Sequence, residues 1–384
     1  MRKIRALHVH SGNLFGGIET YLVTLAKLGY LCPGMESEFA LCFGGRLSEE
    51  LAAHSAKIHW LGRVQTRYPW TVKRARNVLA ELLRLEDYDA VVCHSAWPQA
   101  IFGSVVQRAR IPHVFYLHDA VAGRHWLEVW AKRVVPDYVI CNSRYTREGL
   151  VKMYPGIRSE VLYFPVMAPN LFGVQHRTAV RVELQTAADA IVIIQVSRME
   201  TWKGHTLLLE ASARLGRNHD WIIWIVGGAQ RPQEERYCDD LKEKALRLGI
   251  ADRVRFAGER VDIARLLAAS DIFCQPNLSP EPFGISLVEA LGAGLPVITS
   301  AMGGALEIVD DSCGILVRAG DAEALAAALR RLLLDRGLRK ILARQAPARA
   351  HDLCAPEQQM KAFERVLSSV IGRESEAAFD RHYA

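Results

Sequence analysis

The chain has 384 residues, half of them hydrophobic, and a formal net charge of +6. That length and composition allow two domains with sizeable cores and exclude a disordered or fibrous chain. No apolar run approaches the roughly 18 residues of a membrane span, and Met1-Arg-Lys-Ile-Arg-Ala-Leu-His reads as the start of a short strand, so a cytoplasmic protein is expected.

In chain order, short β-branched runs at 4–10, 39–43, 57–61, 90–94, 113–117, 138–141 and 161–164 alternate with helical patterns such as 18–28, 70–85 and 144–153. A second series of strand patterns follows at 191–196, 221–226, 254–257, 272–275, 297–299 and 315–317. This is an α/β pattern of two doubly wound parallel sheets with covering helices. The stretch from about Val166 to Asp189 is irregular and carries Pro169 and Gly173, so it is read as an interdomain linker. The expected boundaries are 1–168 and 186–357, and the tail at 358–384 is helical in pattern with no strand to follow it. The eight cysteines form no Cys-x-x-Cys pair, and several lie inside strand-like runs, which favours reduced core thiols over disulfides or a zinc site.

Open parallel sheets bind ligands beyond the carboxyl ends of their strands, so the chemistry is sought in the loops that follow them. After the first strand, Gly16-Gly17 opens a helix, where small residues and free amides suit an anion. This loop does not fit Gly-x-Gly-x-x-Gly, and no segment reads as a P-loop. After strand 191–196, Arg198 and Lys203-Gly204 place two cations five residues apart, able to reach one phosphate or two neighbouring ones. After strand 272–275, Glu281 and Glu289 flank a helix start formed by Phe283, Gly284, Ile285 and Ser286. An anion at that helix start, with carboxylates accepting hydrogen bonds from hydroxyls on either side, describes a sugar nucleotide. A second double glycine, Gly303-Gly304, follows the next strand ahead of Glu307. Asp87-Tyr-Asp89 has the spacing of a metal-binding Asp-x-Asp, but it precedes strand 90–94, so a turn role is expected and no metal.

These four loops together resemble the retaining glycosyltransferases of family 4, which have the GT-B fold: two Rossmann-like domains facing across a cleft. The resemblance spans nearly the whole chain and is strongest from Val196 to Val317, including Ala-Leu-Gly-Ala-Gly-Leu-Pro-Val after Glu289 and Gly303-Gly304…Glu307-Ile-Val. It implies that Arg198 and Lys203 neutralise the donor diphosphate, that Glu289 binds ribose hydroxyls and that Glu281 lies beside the donor sugar. His118, in Tyr-Leu-His-Asp, matches a family histidine near the sugar and the scissile bond. The implied activity is metal-independent, retaining transfer of a hexose from a UDP- or GDP-linked donor, with no cofactor, to a glycan or lipid-linked acceptor in cell-envelope or polysaccharide synthesis. The final helix would return to the amino-terminal domain. The chain has Phe164-Pro-Val-Met167 where many relatives carry an Asn-Gly-Val-Asp-like turn, so a contact from that turn is not carried over.

Charge is uneven: residues 1–180 hold 22 Lys and Arg against 14 Asp and Glu, whereas the remainder is slightly acidic. Residues 51–80 lack acids entirely and interleave Lys57, Arg63, Arg67, Lys73, Arg74 and Arg76 with Trp60, Tyr68 and Trp70. Helical spacing puts Val72, Ala75, Val78, Leu79, Leu82 and Leu83 on one face and Lys73, Arg76, Asn77 and Arg84 on the other. A solvated face on a core helix accounts for this. So does contact of the region 60–84 with an anionic membrane surface at the inner face of the cell membrane. Nucleic-acid binding would leave the loop motifs unexplained. Another GT-B enzyme, such as a sugar-nucleotide epimerase or a sugar-phosphate transferase, and a nucleotide-binding but non-catalytic GT-B protein are the alternatives.

Overall fold

The protein is seen in a computed structural model that describes residues 2–167 and 174–372. It divides into two compact units, one taking the chain to Pro165 and resuming at Pro356, the other formed by Val166–Ala355.

The first unit holds β1 (Ile4–His10), β2 (Met35–Leu41), β3 (Ile58–Trp60), β4 (Ala90–His94), β5 (His113–Leu117), β6 (Tyr138–Cys141) and β7 (Ser159–Val161). They form one parallel sheet in the order β3-β2-β1-β4-β5-β6-β7. The second unit holds β8 (Ile191–Val196), β9 (Trp221–Val226), β10 (Val254–Gly258), β11 (Ile272–Gln275), β12 (Val297–Ser300) and β13 (Gly314–Val317), parallel in the order β10-β9-β8-β11-β12-β13. Central strands such as β4, β5 and β11 are buried along their whole length, as expected when helices cover both faces of a parallel sheet.

Helices bury apolar stripes against these sheets. In helix Pro69–Leu85 the stripe is Val72, Ala75, Leu79 and Leu83, spaced three and four apart, and it packs with Ile101, Phe102 and Val105 of helix Ala96–Ala109. In the second unit Leu208, Trp221, Leu241, Leu325 and Leu329 share one core. Both strand orders reverse at a single point, between β1 and β4 in the first sheet and between β8 and β11 in the second. The loops leaving those strands flank the crevice where open α/β sheets take their ligands.

Four expectations are corrected. β2 begins four residues earlier than its apolar pattern, because Glu38, 1% exposed, is satisfied by Arg5, His59 and Tyr88 and so can sit within the sheet. β7 is Ser159–Val161, ahead of the predicted 161–164. The irregular stretch read as a linker contains helix Val174–Glu183, which belongs to the second unit. Its Arg181 is buried and donates to the carbonyls of Ala187, Ala188, Ala190 and Ala269 and to Asp271, while Arg177 donates to Asp271 as well. On helix Pro69–Leu85, Arg76 turns inward, donating from Nε to the Ile101 carbonyl at 2.6 Å, and Val78 is 40% exposed.

The tail forms helix Pro356–Val370, assigned to the first unit; the rest of the predicted helix, 373–384, lies outside the described residues. Asp89 does serve structure, accepting from the Arg5 amide at 2.8 Å ahead of β4. All eight cysteines are free, seven of them buried.

Candidate functional site

In the second unit the loops after β8 and β11 are locked together. Gly204 has φ +76°, and a Cβ there would lie 1.9 Å from the Pro276 carbonyl oxygen, so only glycine permits this approach. The Leu278 amide donates to the Trp202 carbonyl at 2.7 Å, and the buried Gln195 amide donates to the Lys203 carbonyl at 2.8 Å. This holds Lys203 where its Nζ donates to Glu281 Oε2 at 2.7 Å, with the ammonium 3.9 Å from the Trp202 ring centre.

Glu281 is 9% exposed, and Oε2 also accepts from Asn277 Nδ2 at 2.9 Å and Gln275 Nε2 at 3.2 Å. All three donors converge on Oε2; Oε1 has no protein partner among the described residues. The Glu281 backbone is fixed as well. It forms a parallel bridge with Gly303, and its carbonyl accepts from the Gly304 amide at 2.8 Å. A Cβ on Gly303 (φ +61°) would lie 2.4 Å from that carbonyl oxygen, which accounts for the second double glycine.

Gly284, at φ +115°, turns the chain into helix Ile285–Gly292, with Phe283 buried behind it and Ser286 Oγ donating to Gln275 Oε1 at 3.0 Å. The first amides of a helix lack intrahelical partners and carry the positive end of its dipole, so the start at Ile285 and Ser286 can receive an anion. Glu289 follows in the helix, where burial pushes its carboxyl up to about 7.

Arg198 is not a free cation. Its Nη2 donates to Glu234 Oε1 at 2.5 Å and its Nη1 is 3.3 Å from Glu200 Oε1, leaving a buried Nε unpartnered. Glu234 stands in the first turn of helix Pro232–Arg247 and was missed by the sequence reading, as was the loop it serves. That loop starts at Gly227, where a Cβ would lie 1.9 Å from the Ser197 carbonyl oxygen; the Gly227-Gly228 pair after β9 was the available signal.

In the first unit, Gly16-Gly17 is held by its own helix: the Gly16 amide donates to Glu19 Oε2 at 2.9 Å, and Glu19 Oε1 is 2.7 Å from His10 Nε2. The Gly16 amide expected to face an anion is thus already engaged. Gly16 itself is extended, at φ −161°. His118 follows β5, 6% exposed and stacked on Tyr116 at 4.2 Å, with its carbonyl accepting from Asn142 Nδ2 at 2.9 Å. Burial, reinforced by His10, lowers its pKa to about 3, so it is a neutral ring at ordinary pH. Its Nε2 lies 3.0 Å from His94 Nδ1, a partner the sequence reading did not find. Among the described residues no group of three His, Cys, Asp or Glu could hold a metal ion.

Residues 176–349 match the family model "Glycosyl transferases group 1", and residues 15–166 match "Glycosyltransferase Family 4". The chain belongs to the GT4-like group of GT-B glycosyltransferases. The solved structure of HepE from Anabaena in complex with UDP-glucose is 25% identical to this GT-B chain, with a TM-score of 0.83 over 95% of it and 100% of HepE. WaaG, a glycosyltransferase involved in lipopolysaccharide biosynthesis, shares the fold at a TM-score of 0.72 and 19% identity. Among curated proteins, the lipopolysaccharide core biosynthesis glycosyltransferase LpsE of Rhizobium meliloti (strain 1021) is 34% identical over 209 residues, 54% of this chain and 57% of LpsE. LpsD of the same organism, with the same description, is 38% identical over 164 residues, 42% of this chain and 45% of LpsD. The chain spans about half the length of these curated relatives. Among the described residues no helix is long and apolar enough to cross a membrane.

Proposed function

We propose that this chain transfers a hexose, with retention and without a metal ion, from a UDP-linked donor to a hydroxyl of a glycan or lipid-linked acceptor in cell-envelope synthesis. The observation that carries the reading is Glu281: a buried carboxylate with one oxygen saturated by Lys203, Asn277 and Gln275 and the other left to a ligand, directly before an open helix start. A sugar hydroxyl fits Oε1, and a phosphate fits the amides of Ile285 and Ser286. Glu289 would accept hydrogen bonds from ribose hydroxyls, which favour its charged form.

The difficult step is departure of the nucleoside diphosphate, because charge grows on the leaving oxygen as the sugar becomes oxocarbenium-like. Lys203, Arg198 and the helix amides are fixed before the reaction and would stabilise that charge without reorganising. His118, being neutral, would contact the sugar as a hydrogen-bonding ring; the leaving phosphate would take the acceptor proton on the same face as it departs. HepE bound to UDP-glucose supports the donor class, and LpsE and LpsD support a lipopolysaccharide-like acceptor. In the first unit, exposed Trp60 and Trp70 and the exposed Arg63, Lys73 and Arg74 of the same segment support docking on anionic lipid at the inner face of the cell membrane.

Thermal-shift measurements with UDP-, GDP- and ADP-sugars, followed by product analysis in the presence of chelator, test this reading. A UDP-hexose should stabilise the protein and give a product with the donor's anomeric configuration. Epimerised donor with no second product would replace transfer by epimerisation.

A further inference from the structure

Three histidines, two from neighbouring strands and one just past a third, meet in the first unit. His8 Nδ1 lies 2.9 Å from His94 Nε2, and His94 Nδ1 lies 3.0 Å from His118 Nε2; at the far end His8 Nε2 is 3.3 Å from Ser37 Oγ. Ser37, His8 and His94 belong to β2, β1 and β4, and His118 follows β5, so the line crosses four neighbouring strands of the sheet. His8 and His94 are 0% exposed, packed among Tyr21, Phe39, Tyr116 and Phe363. Burial lowers His8 to about 3 and takes His94 well below the ordinary histidine range, so all three rings are neutral.

A neutral imidazole carries one N–H and one lone pair. Each contact in the line joins an Nδ1 to an Nε2. Hydrogen bonds therefore form throughout only when all three rings carry their proton on Nε2, or all three on Nδ1. A mixed arrangement sets two N–H groups or two lone pairs against each other out of reach of water, which is disfavoured on the order of tenfold or more. His118 Nδ1 lies outside this line and has no protein partner among the described residues. In the first arrangement it is an acceptor; in the second it is a donor.

We propose that His8 and His94 are positioning residues that fix the ring tautomer of His118, and with it whether Nδ1 meets a substrate hydroxyl as acceptor or as donor. The substrate contact rests on the proposed glycosyl transfer; the coupling of the rings does not. Neither His8 nor His94 touches substrate.

The test is long-range proton–nitrogen NMR on the whole chain with 15N-labelled histidine, free of ligand, near pH 7.5, with rings assigned from single-histidine variants. The expected result is three neutral rings with one shared tautomer. In His94→Phe, His118 should show nitrogen shifts averaged between tautomers, and kcat with a UDP-hexose should fall tenfold or more with little change in donor KM. His94→Gln, whose amide keeps one donor and one acceptor, should recover part of kcat. Opposed tautomers in the unaltered protein, or a His118 tautomer unmoved by His94→Phe, overturn the proposal. Should His94→Phe not fold, the unaltered protein and His94→Gln decide the matter alone. The spectra need no substrate: a shared tautomer without any transferase activity upholds the coupling and removes the proposed reaction, whereas transfer with opposed tautomers removes the coupling only.

Discussion

Lys203 Nζ donates to Glu281 Oε2 at 2.7 Å, tying the loop after β8 to the loop after β11 across the point where the strand order reverses. The pair puts a cation and an oriented carboxylate next to one helix start. Lys203→Ala removes a charge from the proposed surroundings of the leaving group and leaves Glu281 with only neutral donors. Loss of one preorganised donor of this kind costs roughly 100- to 1,000-fold in kcat, and steady-state assays with the best UDP-hexose should show at least that. Glu281→Ala should abolish transfer, and Glu281→Gln should leave a measurable remnant because the side chain keeps its size. Folded protein, checked by circular dichroism, with near-normal activity in either alanine variant would sink that residue's assignment.

Glu289 gives a pH signature. Its carboxyl titrates at about 7 in the folded chain against an ordinary value of 4.5, so between those values the folded state holds a proton that the unfolded state has lost. Stability therefore falls as pH rises through that window and levels off above it. Glu289→Gln should melt higher than the unaltered protein at pH 8, with the gap closing toward pH 4.5. The same variant should lose most of the thermal shift produced by UDP, since the glutamine lacks the charge proposed to bind ribose hydroxyls. A melting difference that does not vary with pH would remove the account of a half-buried carboxyl raised by desolvation.

The legible parts of the molecule were those whose partners lie nearby in sequence or need no partner. Strands β1, β4, β5, β6, β8, β9 and β11 match their predicted bounds because a buried parallel strand is a continuous apolar run. β2 did not, since Glu38 enters the sheet on the strength of Arg5, His59 and Tyr88. Helix Val174–Glu183 was hidden for the same reason: Arg181 looks solvated in sequence, and its anchor at Asp271 is supplied by another part of the chain. At the site, Lys203, Glu281 and Glu289 could be singled out from their loops, but the pairing of Lys203 with Glu281, and of Arg198 with Glu234, depends on loops brought together by the fold. The imidazole line is further out of reach, because it depends on the register of four strands.

His113 gives an acid-stability test independent of the site. The ring is 2% exposed and neither nitrogen has a partner, and burial lowers it to about 4. The unfolded chain takes up a proton near 6.5 that the folded ring refuses until about 4, so this contribution to stability is full above 6.5 and drains away as pH falls between the two values. His113→Leu replaces the ring by an apolar group of similar size. It should raise the urea midpoint at pH 5 more than at pH 7.5. Equal shifts at both pH values would mean that the ring is not held neutral by burial.

The aromatic and basic rim of the first unit bears on where the protein works. Trp70 is 66% exposed and Trp60 52% exposed, with the Tyr68 ring tilted against Trp70 at 4.8 Å between ring centres and Arg67 over Tyr68. Arg63, Lys73 and Arg74, close to them in sequence, are exposed as well, whereas Lys57 pairs with Glu38 and Glu86. Exposed indoles enter a lipid headgroup region while neighbouring cations meet anionic lipid, each worth about 1 kcal/mol near the surface. Flotation with vesicles containing anionic phospholipid should carry the protein upward at low salt, and binding should fall as salt is raised. Vesicles of zwitterionic lipid alone should carry little. Trp60→Ser with Trp70→Ser should weaken binding at every salt concentration, whereas Lys73→Glu with Arg74→Glu should remove chiefly the salt-sensitive part, since Arg76 is engaged with the Ile101 carbonyl and is not available to lipid. Absence of flotation with anionic vesicles at low salt would assign this face to solvent.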